Sequence, residues 1–188
     1  MRGMRRERLR LALIFLIVSV PAAAAAQDAG RVKERLMTPA GEIRITQMDE
    51  GALGNKFAVT LGDKSVLQIE GGEEGPFSDS PVPTILKHFD AVSPYDKVVV
   101  FQQNMWGNAC DGGPIWFLGL KRDGSFNVSE PIDFCGGRPP TIARTDGRIV
   151  VTIPGGPPNR GRGYIPGETW VYENGRVRQL RQARRSRR

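Results

Sequence analysis

Short apolar runs, punctuated by turn residues, fill most of this chain. "EIRITQM" (42–48) alternates Ile43 and Ile45 with polar neighbours, the two-residue period of a half-buried strand. "KFAVTLGDKSVLQIE" reads as a hairpin, with strands over 57–61 and 65–70 and a tight turn at Gly62-Asp63. Glycine at the first turn position accepts the positive φ that strand-compatible turns need. "KVVVFQQ" (97–103) is a β-branched run typical of a buried strand. Three later hairpins share one design, turning at Asp123-Gly124, Asp146-Gly147 and Asn174-Gly175 between apolar runs. These signals predict an all-β fold, mainly an antiparallel meander of about nine or ten strands, closed as a barrel-like or sandwich structure. One helix is expected where Val82, Ile85, Leu86 and Phe89 fall at helical spacing in "SPVPTILKHFDAV". The segment 28–37 adds a second short helix or stays loose. Two stretches read as irregular: the acidic loop 70–81, and the Gly/Pro loop 154–168, whose middle Tyr164 and Ile165 are expected to anchor.

The N-terminus changes the picture of where the protein works. Residues 1–10 carry five Arg against one Glu, "LALIFLIVSV" follows, and then "PAAAAAQ". A charged start, an apolar run too short to span a bilayer and a small-residue site make a secretory signal peptide, with cleavage near Ala26. The apolar run is not followed by the Cys of a lipoprotein, and Arg5-Arg6 does not open a complete twin-arginine signal. The expectation is export by the general secretion route to the periplasm or outside of a bacterial cell. The organisation expected is a signal peptide over 1–26, a linker or short helix over 27–41, one β-rich domain over 42–180 and a basic tail over 181–188. The mature length suits one domain with a real core.

The chain's formal charge is +7, but the leader contributes +4 and "RQARRSRR" contributes +5, so 27–180 is near −2. Arg181, Arg184, Arg185, Arg187 and Arg188 form an electrostatic tail. Blocks of like charge are usually solvated and disordered. Outside the cell the natural partners of such a tail are anionic lipid or acidic polymer, and nucleic acid is not expected.

Two cysteines in an exported chain read as a disulfide, Cys110 with Cys135. A four-residue loop around Asp123-Gly124 would set Leu120 opposite Ser125, and the same register would set Cys110 opposite Cys135. Cross-strand neighbours at about 5 Å are within disulfide reach. On this reading "GNACDGG" and "DFCGG" are glycine-rich corners held together, and the stretch from Phe101 to Phe117 is a pinned structural corner. Trp106 and Trp116 flank Cys110. They read as core packing, with a stacking surface for sugar or a partner as the alternative.

Recognisable catalytic patterns are few. His88 is the single histidine, which excludes a multi-histidine metal site, and no G-x-S-x-G elbow, P-loop, dinucleotide fingerprint, H-E-x-x-H or EF-hand pattern occurs. Asp111 and Asp133 adjoin the two cysteines; a carboxylate pair would suit a hydrolase or a Ca²⁺ site, and turn residues bonding local amides are the plainer reading. No cofactor and no metal are expected. The function expected is a non-enzymatic binding module, of inhibitor, immunity or envelope-accessory type, whose partner is an envelope protein or glycan. Its candidate surface comprises Gln103, Asn104, Trp106, Asn108, Asp111, Asp133 and Arg138, joined by Tyr164. The alternatives are a cell-wall glycan hydrolase using the carboxylate pair, and an envelope-surface binder acting through the arginine tail.

Overall fold

The protein is described from a computed structural model, covering residues 30–49, 56–70, 82–106, 111–134, 138–157 and 162–180. The leader, the acidic segment 71–81, both cysteines and the arginine tail lie outside the described residues. The described residues are all-β, in thirteen strands, with no helix among them.

The first sheet is a meander of β1 (Arg31–Thr38), β2 (Gly41–Asp49), β3 (Lys56–Leu61) and β4 (Lys64–Glu70). The middle sheet orders β5 (Val82–Val92), β6 (Tyr95–Trp106), β8 (Ile115–Leu120) and β9 (Phe126–Val128), with β7 (Asp111–Gly112) pairing β6 beyond the start of β8. The third is a meander of β10 (Thr141–Thr145), β11 (Arg148–Ile153), β12 (Glu168–Glu173) and β13 (Arg176–Leu180). All pairings are antiparallel. Of the two closures expected, the fold is a sandwich, in three layers.

Alternation explains the layering. Along β6, Val98 and Val100 join a core with Ile142, Ile149, Val151 and Tyr172 of the third sheet. Val99 and Phe101, between them, join a core with Ile43, Ile45, Phe57, Val59 and Leu61 of the first sheet. The partner strand β8 splits in the same way, Ile115 and Phe117 to one side and Leu118 and Leu120 to the other. A strand covered on both faces must be apolar at every position, which is why "KVVVF" runs without alternation. Lys97 begins that run with its ammonium 2.6 Å from Asp90 Oδ1, so its charge is paired where its stem is buried.

The turn residues behave as expected. Asp146-Gly147 and Asn174-Gly175 both have positive φ at the two central positions, the primed geometry that matches strand twist. Gly62 also takes a positive φ, 56°.

Two segments where a helix is expected are strands. In β5, Ile85 pairs Phe101 but Lys87 pairs Val100, so Leu86 is an extra, bulged residue. The bulge reverses the parity of the residues after it. Ile85 therefore faces the first sheet and Phe89 the third. Four residues apart on an unbulged strand they would share a face, and that offset is what imitates a helical stripe. Segment 31–38 alternates exposed and half-buried positions along the edge of β2, where Leu36 packs on the core. Good helix formers there yield to the open edge of β2.

Edge strands align at one side of the stack. Glu34 Oε2 of β1 accepts from the Ile85 amide of β5 at 2.9 Å. Lys87 Nζ of β5 donates to the Ile142 carbonyl of β10, and Arg144 of β10 donates to the Asp90 and Ala91 carbonyls of β5 at 2.8 and 2.7 Å. Side chains of each first strand thus occupy polar edge groups of the next, which blunts three sheet edges at once. The outer face of the third sheet is partly open to solvent: Thr152, Arg176 and Arg178 are exposed, whereas Val150 is half-buried and Val171 is buried.

Candidate binding surface

The stretch from Phe101 to Phe117 is the far end of a hairpin. Trp106 pairs Asp111 and Met105 pairs Gly112 before the chain steps through Gly113-Pro114 into β8. That step is bonded from within: Gln102 Nε2 donates to the Gly113 carbonyl at 3.2 Å, and the Gln103 amide donates to the Pro114 carbonyl at 3.0 Å. Gln102 is buried and Gln103 half-buried, so these amides hold the corner. Trp116 packs half-buried on the core between the first and middle sheets, as a structural tryptophan.

Of the other expected surface residues, Asn104 pairs Val82, and Trp106 and Asp111 pair one another, through the backbone ladder. Asn108, Cys110 and Cys135 lie outside the described residues. Asp133 is exposed between buried Ile132 and Phe134, and Arg138 is exposed ahead of β10. The register expected across the Asp123-Gly124 hairpin is corrected by one residue. Leu120 pairs Phe126, not Ser125, because Ser125 stays in the loop, where its amide and hydroxyl both donate to Asp123 Oδ1. A further residue is gained before Ile115 meets Ile132. Ladder counting therefore does not set Cys110 opposite Cys135. No cluster of three or more His, Cys, Asp or Glu suited to a metal occurs among the described residues. His88 is exposed on β5.

The Gly/Pro loop departs most from expectation. Tyr164 and Ile165 do not anchor it inward; they are 71% and 56% exposed. The loop is an extension of the β11–β12 hairpin. Ile153 pairs Glu168, and in the same register Gly156 and Ile165 exchange two backbone hydrogen bonds, at 3.0 and 2.8 Å. Between these pairs the chain narrows at two glycines. A Cβ on Gly155 would stand 2.6 Å from the Gly167 nitrogen and 2.9 Å from the Ile165 carbonyl oxygen, and one on Gly167 would stand 2.7 Å from the Gly155 nitrogen. Only glycine lets two backbones approach so closely. The Tyr164 hydroxyl lies over Gly155, in space that a side chain there would fill.

Tyr164 is the one member of the expected surface on this loop; Ile165 and the neck glycines are not. Their signal lies in the common register of Ile153–Glu168 and Gly156–Ile165, which continues the β11–β12 ladder across the prolines. The result is a loop with Arg162, Tyr164, Ile165 and Pro166 exposed along one short stretch. Such a surface can bury an aromatic ring and an aliphatic side chain with little ordering cost, because the neck is already fixed. The chain matches no protein-family model, and no curated protein or solved structure shows significant similarity to it.

Proposed function

We propose that the protein is an exported binding module that recognises an envelope protein through Tyr164 and Ile165, on the extension of the β11–β12 hairpin. The observation that carries this reading is the exposure of that pair on a glycine-crossed, doubly hydrogen-bonded neck. Large apolar side chains held out of a core by an ordered backbone have no folding role to offset their exposure. Aromatic anchors of this kind dominate interface energetics. The stacked sheets supply the rigid base that such a loop needs, and the leader supplies the compartment.

Crosslinked capture from the native envelope tests the reading, comparing the wild-type protein with Tyr164→Ser/Ile165→Ser. The expected result is one protein retained through a high-salt wash by wild type and lost by the variant, with affinity lower by about 30-fold or more if the pair forms a hot spot. Equal recovery by both would overturn the assignment of this loop. Because both side chains are exposed, the variant's melting curve should match wild type.

A further inference from the structure

The edge strands among the described residues are blunted, with one exception. A strand at a sheet edge presents unpaired amides and carbonyls, a template for another strand unless something interrupts it. β1 and β4 each carry a bulged residue, Lys33 and Val66, where the register shifts. On β5 the Ile85 amide is taken by Glu34 and the Asp90 and Ala91 carbonyls by Arg144; on β10 the Ile142 carbonyl is taken by Lys87. β7 and β9 are two and three residues long, too short to seat a partner. β13 is the exception. It ends the third sheet beside β12, and its pairing runs from Arg176 to Leu180 without a shift and without proline.

Hairpin geometry shows which groups of β13 face outward. Asn174 and Gly175 have φ of 52° and 81° and form a two-residue turn. In such a hairpin the flanking pair, here Glu173 and Arg176, exchanges both backbone hydrogen bonds, and every second pair after it does the same. Arg176, Arg178 and Leu180 therefore commit their backbone groups to β12. The amides and carbonyls of Val177 and Gln179 point away from the sheet, and no described residue takes them. On the outer face the Arg176 and Arg178 side chains are exposed, two positions apart. Arg178 makes a loose contact of 3.7 Å with Glu173, both about half in solvent, which leaves guanidinium donors free for a further carboxylate.

Charge decides what can pair here. In an antiparallel copy of β13, setting Val177 opposite Gln179 sets Arg178 opposite Arg178, and setting Val177 opposite itself sets Arg176 opposite Arg178. Like charges opposed across a ladder are destabilising. We propose that β13 accepts an extended acidic peptide segment as an added antiparallel strand. The peptide residues opposite Val177 and Gln179 each exchange an amide and a carbonyl bond with it. Carboxylates at the alternate positions fall opposite Arg176 and Arg178, within pairing distance. The charges that disfavour self-pairing thus admit this partner. The edge is a separate surface from Tyr164 and Ile165, and the inference does not depend on that loop.

Amide hydrogen exchange followed by nuclear magnetic resonance on the whole chain tests this. The probe is a capped peptide alternating valine with glutamate, and its control carries lysine for glutamate. At about ten times its Kd the glutamate peptide should slow exchange of the Val177 and Gln179 amides about tenfold. Gln179→Pro removes an outward amide at an edge position where proline is tolerated, and leaves every charge in place. It should weaken the peptide about tenfold or more, with an unchanged melting curve. Arg176→Gln/Arg178→Gln should weaken it by up to about fivefold for each arginine. The exchange pattern of the wild-type protein needs no variant, so the test survives a proline that disturbs the fold. Absence of binding at millimolar peptide, or binding that leaves the Val177 and Gln179 amides unchanged, would overturn the proposal. So would a folded Gln179→Pro variant that binds as wild type, or equal binding of the lysine control. Protection of the two amides that rises with protein concentration and needs no peptide would also overturn it, in favour of a second copy.

Discussion

The middle and third sheets are built from similar antiparallel meanders and differ in what covers them. In the middle sheet, both faces are buried, so β6 and β8 carry apolar residues at successive positions, and the polar exceptions Lys97 and Gln102 are each paired. In the third sheet one face joins the core and the other is partly open to solvent, so the same strand geometry alternates buried Ile149 and Val151 with half-buried Arg148 and exposed Thr152. Their difference shows that burial on two faces, rather than strand propensity, fixes the composition of a strand. It also explains where function can reside. The middle sheet has no free face to give. The third sheet gives the loop that extends β11 into β12.

Truncating matched side chains in the two sheets puts that difference to its strongest test. Phe117 is fully buried and stacks on Tyr172 with centroids 4.6 Å apart. Phe117→Ala should cost about 4 kcal/mol of stability in urea denaturation. Thr152→Ala, on the exposed face, should change stability by no more than about 0.5 kcal/mol. Comparable losses at the two sites would mean that the end face of the third sheet is covered after all.

Gly119 offers a second test, of packing rather than burial. It sits in β8 where a Cβ would stand 2.7 Å from both the Tyr172 hydroxyl and the Tyr95 ring. Burial drives the Tyr172 phenol above its ordinary pKa, with the adjacent Tyr95 adding to the shift. The two sheets thus meet closely across a glycine. Gly119→Ala should cost about 2 kcal/mol, with loss of near-ultraviolet dichroism from the tyrosine stack. A neutral substitution would show that the interface yields easily and that the two layers are less tightly matched than the contact implies.

A weaker effect concerns pH. The Asp90 carboxyl is held below its usual range, first by the hydrogen bond from Lys97 and then by its charge. A depressed folded pKa contributes stability that is present above the ordinary aspartate value of 3.8 and lost as pH falls through the folded value. Wild type should therefore exceed Asp90→Asn in stability at neutral pH, and the two should converge in acid. Parallel acid-unfolding curves would remove the pair from any account of how the middle sheet tolerates Lys97.

Much of this fold was legible in the sequence because its strands obey local rules. Asp146-Gly147 and Asn174-Gly175 specify their turns by backbone conformation, and the run at 97–103 announces a strand without a solvent face. The all-β class and the hairpins arise from those signals. Long-range geometry was not legible. The bulge at Leu86 arises only where β5 lies along β6, and it alone converts a helical-looking stripe into a strand that serves two cores. The single residue gained at Ser125 depends on the Asp123 side chain capping the loop, and it moves the register on which the cysteine pairing is counted. Tyr164 and Ile165 look like anchors because apolar residues in a loop usually turn inward. The crossing of Gly155 and Gly167 turns that expectation around, and no local pattern shows two backbones in contact.

Strand content, turn chemistry and the uneven placement of arginine are written in the chain, since each is a property of neighbouring residues. Folding in three dimensions settles which strands share a sheet, which face of each strand meets solvent and which loop residues stay exposed. Those outcomes depend on contacts between residues far apart in the chain, where a shift of one position exchanges the two faces of a strand.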